Sequence, residues 1–123
     1  MADRPYSRMP INADEGFPQS FRLDFKGSTY RIVLYVNAPE DPTVPLEHIY
    51  DLPEGEAFMV MRVEREGPGK AQVMFQRKLV PNQRYEAAEL IFVFREMRVA
   101  RRNLNGIGAL GSRVAGGIAA RWD

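Results

Sequence analysis

Phe21, Leu23 and Phe25 alternate with Arg22, Asp24 and Lys26, and after Gly27-Ser28 the alternation resumes at Tyr30, Ile32, Leu34 and Val36. A period of two on both sides of a Gly-containing turn predicts a β-hairpin over residues 20–36. Two further β-rich runs, 57–64 and 70–80, flank Gly67-Pro68-Gly69 and predict a second hairpin. Residues 85–100 carry two signals. Glu86-Ala87-Ala88-Glu89 favours helix, whereas Leu90-Ile91-Phe92-Val93-Phe94 favours a buried strand, and a strand is expected over 90–99.

The remaining segments lack such alternation. Pro5, Pro10 and Pro18 in residues 1–19 describe an extended arm that needs a surface to lie on. Residues 37–56 hold Pro39, Pro42, Pro45 and Pro53 among acids, which excludes a regular helix or a central strand and predicts a long surface loop. From residue 103 onward five glycines fall between Gly106 and Gly117, while Leu104, Ile107, Leu110, Val114, Ile118 and Trp122 recur at roughly helical spacing. Glycine disfavours a helix by about 1 kcal/mol each, so this tail is expected to order only against a partner. Together these readings give an all-β domain, a small closed or partly open barrel of five strands at 20–102. An arm at 1–19 precedes it and a Gly/Ala-rich docking tail at 103–123 follows. Leu104, Ile107, Leu110, Val114, Ile118, Arg121 and Trp122 are the expected partner-binding residues.

At 123 residues, 45% apolar and 27% charged, the chain has the composition of one globular domain. It contains no cysteine, which removes disulfides and thiolate metal sites. No apolar leader or membrane-length run is present, so synthesis in the cytoplasm is expected. The net charge of +1 conceals an asymmetry: residues 37–66 carry −6 and residues 95–123 carry +4. The two regions attract each other, or attract copies of each other.

Candidate chemistry is sparse. His48 is the only histidine and sits in the acidic loop, where it is read as a solvated surface group and not a catalytic base. No calcium-loop spacing and no nucleophile elbow occurs around Ser7, Ser20, Ser28 or Ser112. Gly106-Ile107-Gly108-Ala109-Leu110-Gly111 matches the letters of a dinucleotide fingerprint but has no βαβ unit after it. No catalytic residue, cofactor or metal site is therefore expected. A nucleic-acid surface would draw on Arg95 to Arg102, Arg77 and Lys78 beside Phe75 and Phe94, although in a strand Phe92 and Phe94 share one face and Arg95 the other, which makes the aromatics core.

Pro18-Gln19-Ser20-Phe21, Phe25-Lys26-Gly27-Ser28-Thr29-Tyr30-Arg31-Ile32 and Tyr35-Val36-Asn37 resemble the opening of the small baseplate plug proteins of tailed bacteriophages. Phe58 to Val63 and Lys78-Leu79-Val80-Pro81-Asn82-Gln83 resemble that family's third strand and following loop, with Phe58 where the family usually has Trp. The likeness covers residues 18–95. It implies an OB-like barrel in the virion tail that braces or plugs the tail-tube hub without catalysis, in contact with other baseplate proteins and with copies of itself. A single-stranded nucleic-acid-binding barrel is the alternative.

Overall fold

A computed structural model describes residues 6–25, 27–104 and 112–120. The expected first hairpin is β2 (Gln19–Phe25) and β3 (Ser28–Asn37), in register from Gln19 opposite Leu34 to Phe25 opposite Ser28. Gly27 has φ +83, a conformation that side chains with a Cβ rarely adopt, which is why the turn falls there. The second hairpin is β5 (Phe58–Glu66) and β6 (Gln72–Lys78). Strand β5 lies on β3, completing a four-stranded antiparallel sheet in the order β2-β3-β5-β6.

The other sheet is built around β8 (Leu90–Ala100). One edge of β8 pairs with β9 (Arg113–Ala120), which in turn pairs with the two-residue β1 (Ser7–Arg8). Its other edge is filled piecewise. Strand β7 (Arg84–Ala87) covers Leu90–Val93, and β4 (Ile49–Asp51) covers Arg98–Ala100. Between them Asn82 N–H donates to Phe94 C=O at 2.7 Å and Leu52 N–H to Met97 C=O at 2.8 Å, which satisfies those two β8 carbonyls. A register shift between Phe94 and Glu96 adds one residue to β8. Core residues Leu90, Phe92 and Phe94 therefore resume at Met97 and Val99, not at position 96.

The two sheets share a single apolar cluster. Tyr30, Ile32 and Leu34 of β3, Met59, Met61 and Val63 of β5, and Phe92, Phe94, Met97 and Val99 of β8 are all fully or almost fully buried in it. Each such aliphatic or aromatic side chain stabilises the fold by roughly 1.5–3 kcal/mol relative to exposure. The chain is all-β, with no α-helix among the described residues.

Several expectations need correction. The strands form two antiparallel sheets and not a closed barrel, with nine strands among the described residues instead of five. The proline-rich loop is not wholly irregular, because Ile49–Asp51 fits the edge of β8, where few ladder bonds are needed. The arm is not merely draped. Met9, Ala13 and Phe17 enter the core, and Met9 N–H donates to Gly116 C=O at 3.0 Å.

The largest correction concerns the tail. Residues 113–120 form β9, inside the five-stranded sheet between β1 and β8, so the separate docking tail at 103–123 is overturned for this stretch. Glycine there serves close packing. A Cβ on Gly116 would stand 2.5 Å from Met9 Cε and 2.9 Å from Val93 O, and one on Gly117 would stand 2.7 Å from Tyr6 Cβ.

Candidate functional site

Three of the expected partner-binding residues are engaged within the chain's own fold. Val114 is buried in β9. Ile118 lies opposite Ser7 on one side and Phe92 on the other, packed against the core. Leu104 follows a 3-10 turn at Arg101–Asn103 and also packs on the core, its carbonyl accepting Phe17 N–H at 3.0 Å. Ile107, Leu110, Arg121 and Trp122 lie outside the described residues, as does Gly106 to Gly111. The series is therefore no longer one exposed stripe.

The opposed charges of the acidic loop and the arginine-rich segment meet within the molecule. Arg102 pairs with Glu47 at 3.4 Å, and Arg101 donates to the Tyr50 hydroxyl at 3.3 Å. The backbone N–H of Arg101 also donates to His48 C=O at 2.9 Å. Further along, Arg113 pairs with Glu96 at 3.2 Å. Within the loop, Asp41 accepts from the Thr43 hydroxyl at 2.6 Å and the Thr43 N–H at 2.9 Å, and these bonds hold its carboxyl below the usual range. The exposed Arg102–Glu47 pair is worth only roughly 0–1 kcal/mol, and the hydrogen bonds from Arg101 to Tyr50 and His48 join it in holding the loop at the end of β8.

His48 is not freely solvated. Its ring stands edge-on to Tyr50 at 4.8 Å, and its Nε2 meets Glu54 Oε2. Glu54 also accepts the Asp51 N–H at 3.1 Å. The His48 bond first, and the Asp51 bond second, hold the Glu54 carboxyl below the ordinary glutamate value. The arrangement fastens β4 to the acidic loop. Ser112 Oγ accepts Ala100 N–H at 2.9 Å and so ties the start of β9 to the end of β8.

The candidate nucleic-acid row is dispersed. Phe94 is buried in the core, and Phe75 is half-buried edge-on to Tyr85 at 5.9 Å. Arg77 and Lys78 belong to the four-stranded sheet, Arg95 and Arg98 to the other. Lys78 sits over the Phe58 ring at 4.0 Å.

An open surface site emerges instead on the outer face of the four-stranded sheet. Core positions on β3 and β5 alternate with Arg31, Val33, Tyr35, Val60 and Arg62, which therefore face outward. Register places Val33 beside Arg62, and Tyr35 beside Val60. Val33 and Val60 are nonetheless buried. Pro18, Gln19, Ser20, Arg31, Val33, Tyr35 and Arg62 line a depression of about 590 Å³ there. Glu64 meets Arg62 at 2.9 Å and Arg31 at 3.9 Å, so one carboxylate offsets two guanidiniums. Gln76 donates to the Tyr35 hydroxyl at 3.2 Å. The result is an apolar floor with a basic and hydroxylated wall, suited to a peptide segment carrying apolar and acidic groups. Alternation alone marks these positions as outward. What it does not reveal is that Pro18 to Ser20 close one side of the depression. No protein-family model, curated protein or solved structure matches this chain.

Proposed function

We propose that this chain is a structural component of a bacteriophage tail baseplate, bracing or plugging the tail-tube hub through protein-protein contacts and without catalysis. The observation that carries the contact role is the open depression on the four-stranded sheet. Tyr and Arg around an apolar floor are the residue types enriched where proteins dock. The placement in a tail rests on the sequence resemblance. Of its separated segments, 18–37 and 58–63 lie side by side in β2, β3 and β5 of one sheet, and 78–83 runs from the end of β6 of that sheet to β7. On this reading the fold is an opened elaboration of the family's OB-like barrel.

The test is genetic and structural. Phage particles assembled with and without the gene would be imaged by electron cryomicroscopy. Density fitting this chain at the hub, and defective baseplates without it, are expected. Complete, infectious particles that lack the chain would refute the proposal.

A further inference from the structure

The four-stranded sheet ends at β2, and among the described strands none pairs with its outer edge. Its backbone parity is fixed by the hairpin. Phe25 closes on Ser28 across a two-residue turn, and such a closing pair is joined through its backbone groups. Antiparallel alternation then aims the backbone N–H and C=O of Ser20, Arg22 and Asp24 away from β3.

Edges of this kind are normally blunted by proline, a bulge, lysine or an inward charge. Strand β6, the opposite edge, has a register shift against β5 and ends on Arg77 and Lys78. Strand β2 carries charge only as the opposite-signed Arg22 and Asp24, with no bulge and no proline or lysine within the strand: seven consecutive residues pair with β3 without a shift, and Phe21, Leu23 and Phe25 on its inward face are only half-buried.

The segment Phe21-Arg22-Leu23-Asp24-Phe25 is also self-complementary. Read backwards it keeps its apolar positions and exchanges the sign of its charges. We propose that β2 is a dimerisation edge, on which the β2 of a second copy pairs antiparallel about a two-fold axis at Leu23. This register sets Phe21 against Phe25 of the partner copy, Arg22 against Asp24, and Leu23 against itself. It also places the outward-aimed backbone groups of Arg22 opposite those of Asp24, as an antiparallel ladder requires.

Neighbouring registers are worse. Centring on Arg22 or on Asp24 opposes like charges, and centring on Phe21 brings Pro18, which has no N–H, opposite Asp24. The existing bonds leave room for the new ones. Arg22 holds Glu66 through Nε at 3.1 Å while its side chain is 70% exposed, and Asp24 uses Oδ1 for the Thr29 hydroxyl. Two four-stranded sheets would join into one of eight strands.

The inference deepens the assembly reading by naming how copies of the chain meet, and it is tested separately, on the purified full chain. Sedimentation equilibrium over a concentration series should show a monomer-dimer equilibrium. Arg22→Asp and Asp24→Arg alone should each weaken it by roughly tenfold, since two symmetric charge pairs turn repulsive. Mixing the two variants should restore association, because every aspartate at the edge then faces an arginine of the other chain. The doubly exchanged variant Arg22→Asp/Asp24→Arg should restore it in a single chain, and circular dichroism checks that each variant is folded. A wild-type chain that stays monomeric at every concentration, or a mixture no tighter than the single variants, overturns the proposal. A monomeric chain that still enters tail particles would refute this edge and leave the baseplate role standing.

Discussion

Gly116→Ala is the sharpest probe of how the five-stranded sheet is closed. The added methyl carbon would lie 2.5 Å from Met9 Cε, 2.9 Å from Val93 O and 3.1 Å from Phe94 Cδ2. Met9 can swing its terminal methyl aside. The Val93 carbonyl cannot move so freely, because it belongs to the β8 ladder, and the Phe94 ring is fully buried. Overpacking of this kind costs about 1–3 kcal/mol, while the loss of glycine's freedom in the unfolded chain returns about 0.4–1 kcal/mol. The expected net effect is a destabilisation of about 1–2 kcal/mol, or a fall in Tm of about 4–10 °C for a domain of this size. Gly67→Ala is the matched control, with nothing within 4 Å of its added carbon. It should change stability by less than about 0.5 kcal/mol. The assay is urea unfolding followed by far-ultraviolet circular dichroism, with thermal melts alongside. If Gly116→Ala is as stable as the wild type while Gly67→Ala behaves as expected, the close seating of Met9 and β9 on β8 is wrong.

Two further outcomes follow from the same framework. Truncation after Leu104 should unfold the chain, because it removes β9 and uncovers Phe92, Phe94 and Met97; a truncated chain with a native-like spectrum and cooperative melt would show that the sheet stands without its last strand. Glu54 has a lowered folded-state pKa, so its bonds to His48 and Asp51 stabilise the protein above the ordinary glutamate range and lose that contribution as pH falls through the lowered value. Melts between pH 3 and 6 should therefore show wild type losing stability on acidification slightly more steeply than Glu54→Gln; the difference is small because the side chain is 41% exposed, and identical slopes would refute the role of the pair.

The first hairpin was legible because the inward positions Phe21, Leu23 and Phe25 and then Tyr30, Ile32 and Leu34 recur every second residue, and the second because two β-rich runs flank Gly67-Pro68-Gly69. Strand β8 was legible through its apolar run despite the helix-favouring Glu86 to Glu89. That segment instead supplies the end of β7 and a tight turn with Ala88 at φ 53. Strand β9 was missed for a definite reason. Its Ala and Gly residues carry no alternation, and Val114 and Ile118, four apart, share a face in a strand as well as in a helix. Large Phe92 and Phe94 on the neighbouring strand lie opposite Ile118 and Gly116, so the fit is visible only once the pairing is known. The outer depression was hidden for a similar reason. Its walls come from β2, β3 and β5, and no local pattern shows that Arg31 and Arg62 share Glu64.

The pairing of β1 with β9 sets Ser7 beside Ile118. A chain made from its N-terminus onward can complete the β2-β3-β5-β6 sheet from one continuous stretch, but Ser7 and Arg8 have no berth until β9 has been added. During that interval one long edge of β8 waits bare beside an apolar core, a template for any passing strand. The loop that this pairing closes runs from Arg8 to Gly117, and such long-range pairing is slow to form. The small side chains of β9 then take on a kinetic meaning: apart from Val114 and Ile118 its uncharged residues are alanine and glycine, so it presents little apolar surface of its own while it waits to seal the sheet.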